Sequence, residues 1–409
     1  MDLARKITKL GTGTLIANII TLLTLPFIAK IYSPFEYGKF TLIFSAVSII
    51  LPFATLRLEN LVVAEYNNEE SHRIIYSAIF FSFIISILTL IILISEIIFL
   101  DNIYFNISIL NSILFSTIIL LQAIVSLTGQ YALRNREYTR LAVSSIFQNF
   151  LASGMQIVTG LARPFLGSLL VSFISGRLLG ILILIRPQVR HIFKTKISMR
   201  DILVTIKKYV PTSKLLIFGG IFESLSIALP SAALSFYFGY EFAGYAGMIN
   251  TVMMTPVLLV GGAFGSVLLS ELSNSGRNYK IKTYILRYTI IRLALLSAIY
   301  GLFTLLFGSK LLIWALGPDW NYIKQVLPWL AFSYSVHMIW YTYINIIYYE
   351  KKWRLYFEVT FLRLLLSVMF GSFSLAMGAN WALVLFSFYI GQSVAQIIGL
   401  SKLYKIIIN

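Results

Sequence analysis

The 409-residue chain contains no cysteine and only 3 histidines, His72, His191 and His337. Disulfides, thiolate nucleophiles and cysteine-ligated metals are therefore excluded, and the histidines are too scattered to form a zinc motif. Charge is the next shortage. Only 12% of residues are charged, against roughly 25% in globular domains. Acid is scarcest, with 16 Asp and Glu against 33 Lys and Arg. No G-x-x-x-x-G-K-[ST] segment occurs, so a P-loop nucleotide site is absent as well. Hydrocarbon fills the space: 58% of residues are hydrophobic and the mean hydropathy is +0.84. A soluble fold of this composition would expose too much apolar surface to stay dispersed, so lipid is the expected solvent. The net charge of +17 then reports orientation and contact with anionic lipid rather than nucleic acid.

Apolar runs of roughly 20 residues match the hydrocarbon thickness of a bilayer. Twelve are expected, over 10–31, 37–56, 74–100, 107–127, 141–161, 165–185, 211–238, 244–269, 285–307, 326–347, 359–377 and 381–400. The first follows Arg5, Lys6 and Lys9 but is longer than a signal-peptide core and lacks a small-x-small cleavage site, so it reads as a retained helix. With the amino terminus inside, five basic residues fall outside (Lys30, Lys39, Arg163, Lys310, Lys324). Three fall within spans (Arg177, Arg292, Arg363), and all the others lie on the cytoplasmic side. That bias puts both termini in the cytoplasm and makes the span number even.

The longest break, the basic stretch 186–210, separates a six-helix bundle over 1–185 from a second over 211–409. The halves carry a faint repeat. Glu36-Tyr37-Gly38-Lys39-Phe40 aligns with Glu241-Phe242-Ala243-Gly244-Tyr245 at an offset of 205, and Lys9-Leu10 aligns with Lys214-Leu215 at the same offset. Pro26 falls within one position of Pro230 in that register. Both halves start inside, so the repeat is parallel, an arrangement in which substrate sites lie between the halves. No external loop exceeds roughly 20 residues, which leaves no room for an extracellular catalytic domain.

Four blocks carry a resemblance. They are Gly11-Thr12-Gly13-Thr14-Leu15-Ile16-Ala17; Tyr32-Ser33-Pro34-Phe35-Glu36-Tyr37-Gly38; Thr55-Leu56-Arg57-Leu58-Glu59; and Leu316-Gly317-Pro318-Asp319-Trp320. With Pro26 between the first two, the chain resembles the Wzx-type polysaccharide and O-antigen flippases. These belong to the MOP superfamily, which also holds MurJ-like lipid II flippases and MATE drug exporters. Asn18 departs from the family's usual Gln, and Pro34-Phe35-Glu36 departs from its usual Pro-Glu-x. The resemblance implies an all-α polytopic fold of two six-helix bundles in the bacterial inner membrane. It implies no enzymatic activity. Its cargo would be an undecaprenyl-diphosphate oligosaccharide destined for O-antigen, lipopolysaccharide, capsule or exopolysaccharide. Membrane lipids, a polysaccharide polymerase and a chain-length regulator would be further partners.

An ionisable side chain in the bilayer costs about 2.5–3.5 kcal/mol on insertion scales, so each one needs a reason. Arg177, Arg292 and Arg363 lie in the cytoplasmic third of their spans. Snorkelling to the inner headgroups explains Arg363 best. Together, the three are expected to line an inward-open cavity and grip a diphosphate through forked, charge-assisted hydrogen bonds. Glu223 sits mid-span with Asn18 as its counterpart at the same offset, a candidate site for a coupling H⁺ or Na⁺; the alternative is a neutral carboxyl bonded within the bundle. Arg57 and Glu59 read as a paired gate or as a surface pair. Among the span amides, Asn149 and Gln156 are cavity candidates and Gln122, Gln148, Asn250, Asn345, Gln392 and Gln396 belong to the same class; contacts between helices are the rival role for each. Pro26 kinks the first span, Trp320 reads as an interfacial anchor, and His337 reads as a packed interior residue. No resident cofactor or metal is expected. A MATE-like drug or cation antiporter and a membrane polymerase or ligase are the competing functions.

Overall fold

The computed structural model describes residues 2–65, 67–99, 108–185, 198–274, 279–350 and 352–408. The basic stretch 186–197, with His191, lies outside them. Among the described residues the chain is entirely helical, without strands. Seven helices precede that stretch: α1 (Asp2–Ile31), α2 (Pro34–Thr55), the short α3 (Glu59–Ala64), α4 (Asn68–Phe99), α5 (Ile109–Arg134), α6 (Tyr138–Ala162) and α7 (Leu166–Ile185). Seven follow: α8 (Met199–Phe238), α9 (Tyr240–Asn274), α10 (Tyr279–Phe303), α11 (Ser309–Leu316), α12 (Leu327–Tyr349), α13 (Trp353–Ala376) and α14 (Trp381–Ile408).

Every expected span coincides with a long helix. Among the described residues, 11 are long and apolar enough to cross a membrane. The twelfth, α12, has the length at 23 residues, but its Tyr, Trp, Ser and His side chains hold its hydropathy down. The chain is a multi-pass membrane protein of about a dozen helices. Several helices start earlier than expected, and one start differs most. The span at 211–238 begins within α8, which starts at Met199 because Ser198 caps it: Ser198 Oγ accepts from the Asp201 amide at 3.2 Å, and the Ser198 amide donates to Asp201 Oδ2 at 2.9 Å. This reciprocal pair is a capping box. The Ser198 hydroxyl and amide hydrogen bonds hold the Asp201 carboxyl below its ordinary range.

The chain divides into two compact units: Thr8–Thr24 with Ala46–Ile221, here the amino-terminal unit, and Met1–Ile7 and Leu25–Ser45 with Phe222–Asn409, the carboxy-terminal unit. Small hydroxyls hold the amino-terminal unit together. Ser82 Oγ donates to the Ala54 carbonyl at 2.7 Å, Ser86 Oγ to the Ser116 carbonyl at 2.6 Å, and Ser144 Oγ to the Gly180 carbonyl at 3.1 Å. Small residues let helix backbones approach, and their hydroxyls find carbonyls across the gap; this is how helices associate where lipid gives no hydrophobic drive. An apolar cluster of Leu58, Val62, Ile74, Ile75, Ala78, Leu127 and Tyr131 sits beside them. His72 bonds the Tyr131 hydroxyl at 2.8 Å there, which gives that histidine a packing role.

In the carboxy-terminal unit the first turns of α2 and α9 cross backbone to backbone. A Cβ added to Gly38 would lie 1.8 Å from the Tyr240 carbonyl oxygen, and one added to Gly244 would lie 2.0 Å from the Pro34 carbonyl oxygen. One turn further, Gly247 packs on the Thr41 side chain. The contacts are reciprocal and related by an offset of 206, one residue from the register read off the sequence.

Trp320 locks this crossing, and here the structure corrects an expectation. The indole is fully buried, not at a lipid interface. Its Nε1 donates to the Ala29 carbonyl of α1 at 2.9 Å, and the rings of Tyr37 and Tyr245 meet it edge-on at 5.8 and 5.9 Å. Gly317, with φ +98°, ends α11 in a conformation that only glycine adopts easily. The Pro318–Gln325 turn that follows carries Trp320 inward. An indole can be buried because its N–H has found an acceptor.

Candidate functional site: two guanidinium–amide pairs

The long apolar helices leave few charged side chains inside, and two of these form matching pairs. In the amino-terminal unit, Arg177 of α7 donates through Nη1 to Gln148 Oε1 of α6 at 2.5 Å and lies over the Phe173 ring at 4.4 Å. Gln148 is fixed in turn. Its Nε2 donates to Ser144 Oγ at 2.8 Å, and its side chain fills the space beside Gly180, where a Cβ would come within 2.2 Å. The Arg177 Nε is buried with no hydrogen-bond partner.

In the carboxy-terminal unit, Arg363 of α13 is only 3% exposed. Its Nε and Nη2 both donate to Gln392 Oε1 of α14, at 3.2 and 2.7 Å. The amide orientation follows from its other end, since Gln392 Nε2 donates to the Ser226 carbonyl at 2.8 Å. Of the two roles read for Arg363, snorkelling to the headgroups does not describe it. It is instead enclosed, because Gln392 supplies inside the unit the acceptor that the headgroups would have supplied. Among the described residues neither Arg177 nor Arg363 forms an ion pair with a carboxylate.

Around Arg363 the polar groups form a network. Tyr334 Oη bonds Asn250 Oδ1 and Tyr389 Oη, each at 3.1 Å. Gln396 Nε2 meets His337 Nδ1 at 2.6 Å. These groups line a cavity of about 60 Å³, together with Ile227, Met254, Ser333 and Ser393.

The other candidates scatter. Arg292 is exposed and stacks on Tyr288, its guanidinium 3.9 Å from the ring centre. Glu223 accepts a 2.7 Å hydrogen bond from Tyr356 Oη within the carboxy-terminal unit. Asn149 Nδ2 donates to the Ala17 carbonyl at 3.0 Å, an α6–α1 contact; Asn18 and Gln156 are half-buried in the same unit. Gln122 Oε1 is buried without a partner, and the Asn345 side chain lies outside the described residues. Pro26 lies within α1, just past the point where that helix passes from one unit to the other. Thr24 Oγ1 nearby bonds the Ile20 carbonyl at 3.0 Å.

Arg57 and Glu59 stand 3.8 Å apart, with Glu59 buried, so this is not a surface pair. They sit at the α2–α3 turn, where Leu56 and Arg57 both have φ of 52°. Two successive left-handed residues with side chains cost about 1–2 kcal/mol each, and such strain collects at functional positions. Arg57 packs where a side chain on Gly220 of α8 would stand, 2.4 Å from its Nε. Among the described residues no cluster of three or more His, Cys, Asp or Glu is arranged for a metal.

Sequence reasoning found both arginines but not their shared arrangement. The partners are 29 positions apart in each pair, on neighbouring helices, so no local motif joins them.

No protein family profile matches the sequence, and comparison with curated protein sequences finds no relative. Solved structures do match. An inward-facing multidrug resistance MATE family transporter of the MOP superfamily aligns with a TM-score of 0.71 at 13% identity, covering 97% of this chain and 94% of its own. The lipid II flippase MurJ, in an inward closed conformation, aligns at 0.69 and 16% identity, covering 96% and 86%. A MOP superfamily transporter from Pyrococcus furiosus, described as having a binding pocket of reverse polarity, aligns at 0.65 and 13% identity, covering 98% and 95%. The chain is thus similar to transporters of this superfamily over nearly its whole length, and it has their fold.

Proposed function

We propose that the protein is a MOP-type flippase, a member of the Wzx-like group, that moves undecaprenyl-diphosphate oligosaccharide across the bacterial inner membrane by alternating access. Both termini are cytoplasmic in this reading, and the chain is two parallel six-helix halves, 1–185 and 211–409, joined by the basic linker 186–210. The observation that carries it is the pair of arginines, half-buried Arg177 and buried Arg363, each anchored by a glutamine carbonyl and, among the described residues, neither ion-paired to a carboxylate. A guanidinium held in place by a neutral acceptor keeps its charge and its remaining donors for an anionic cargo. A cation exporter needs the opposite polarity, which disfavours the drug-antiporter reading. Outward movement of a diphosphate with a charge of about −2 runs with an inside-negative potential, worth about 2.3 kcal/mol per charge per 100 mV.

Glu223, held by Tyr356, is the acid positioned for a coupling proton. Glu223→Gln is expected to abolish the response of transport to an imposed pH gradient; an unchanged response removes this role. Arg292, Arg57, Asn149 and Gln156 act as secondary contacts to the cargo headgroup, and Asn18, Pro26 and Glu59 as gating positions. The experiment that tests the function is deletion of the gene. Surface polysaccharide is expected to disappear, with lipid-linked oligosaccharide accumulating in the inner leaflet and sensitivity to cationic drugs unchanged. Intact polysaccharide with raised drug sensitivity would establish the antiporter instead.

A further inference from the structure

We propose that the carboxy-terminal unit binds one small monovalent anion, of halide size, in the cavity beside Arg363. The proposal rests on this cavity and places the anion on the Arg363 donors that a diphosphate cargo would otherwise take.

The cavity is about 60 Å³. Space of this kind admits water-sized guests, the class to which a small halide ion belongs. Clefts that take drug-sized molecules run to roughly 300–1,000 Å³. The wall carries one fixed positive charge and no acid, since neither Asp nor Glu lines it. Glu223, the carboxylate whose field reaches Arg363, is engaged by Tyr356 and makes no ion pair with the guanidinium. A buried ion left without a counter-charge is costly, and an anion in the cavity supplies that charge.

The hydrogen-bond inventory agrees with the charge. Arg363 has five N–H donors; two are spent on Gln392, and the rest have no acceptor among the described residues. Ser333, 3% exposed and on the cavity wall, has a buried hydroxyl with no partner among the described residues. His337 also lines the cavity, bonded through Nδ1 to Gln396. Surplus donors, a fixed cation and no carboxylate describe an anion site.

The test uses the full-length protein in detergent. Binding of radiolabelled chloride is measured by equilibrium dialysis, and thermal unfolding is followed in sodium chloride, sodium bromide and sodium gluconate at one ionic strength. The expected result is saturable binding at one site, competition by bromide, and a Tm that rises with chloride occupancy but not with gluconate, as linkage requires. Arg363→Gln should weaken chloride binding about tenfold or more, whereas Arg163→Gln should leave it unchanged. If Arg363→Gln does not fold, Ser333→Ala serves. It should weaken chloride binding about threefold while the Tm in gluconate is kept, because it deletes a hydroxyl that has no partner in the empty cavity. Absence of saturable binding, meaning a cavity that holds water alone, would overturn the proposal. So would chloride affinity unaffected by the folded variant.

Discussion

Replacing Arg177 and Arg363 together by glutamine is expected to cut transport of the lipid-linked cargo by about a hundredfold or more, with the protein still present in the membrane at its normal level. A hydrogen bond to a charged group contributes about 1.5–3 kcal/mol, so loss of one such contact in each unit gives roughly that factor. Folding should survive because each arginine is anchored by a neutral amide. Neither Gln148 nor Gln392 becomes an unpaired charge when its partner is neutralised. Breaking a buried ion pair, by contrast, strands a charge and costs about 3–5 kcal/mol. Lysine at either position should restore the charge but only part of the activity, because an ammonium cannot present the planar fork. Arg292, exposed and stacked on Tyr288, should matter less than either. The readout is translocation by purified protein alongside its abundance in the membrane. Wild-type transport by the double variant would remove both arginines from the cargo site.

The second large effect is expected at the crossing of α2 and α9. Gly38→Val and Gly244→Val each place a Cβ within 2.0 Å of a carbonyl oxygen on the partner helix. Backbone cannot step aside as a flexible side chain can. Overpacking of this kind costs about 1–3 kcal/mol even where neighbours relax, and here the helices must separate. Separation also opens the seat of Trp320, whose indole is bonded to Ala29 and flanked by Tyr37 and Tyr245. Both variants should therefore show a marked fall in thermal stability in detergent. Gly154→Ala is the control. Nothing lies within 4 Å of a Cβ at Gly154, and alanine is the better helix former by about 1 kcal/mol, so its Tm should hold or rise. Equal behaviour of the three variants would show that the crossing is not the tight contact described.

Much of the fold was legible because lipid imposes a simple rule: backbone polar groups must be satisfied within the helix, so an apolar run of spanning length has one available structure. That is why each expected span coincides with a helix, including the Tyr-rich α12. What depends on one helix meeting another was hidden. Arg363 looks like a snorkelling residue when counted along its own helix, and only Gln392, on the next helix, explains its burial. Trp320 follows Gly317 and Pro318 in a polar turn, the usual setting of an interfacial tryptophan; its burial depends on Ala29, 291 positions away. The early start of α8 was legible in principle from Ser198 and Asp201, but the charged residues between them and the apolar run obscured it. The repeat was seen at an offset of 205, whereas the glycines that meet are related by 206. Sequence similarity aligns residue types, and packing aligns surfaces.

The central claim is that this chain carries an anionic lipid-linked glycan. The most direct measurement is translocation of fluorescent undecaprenyl-diphosphate oligosaccharide in proteoliposomes containing only the purified protein, with an organic cation as the competing cargo. The account predicts that the lipid-linked glycan reaches the opposite leaflet, that an inside-negative potential accelerates outward movement, and that the double arginine variant does neither. Transport of the organic cation with no movement of the glycan would contradict it.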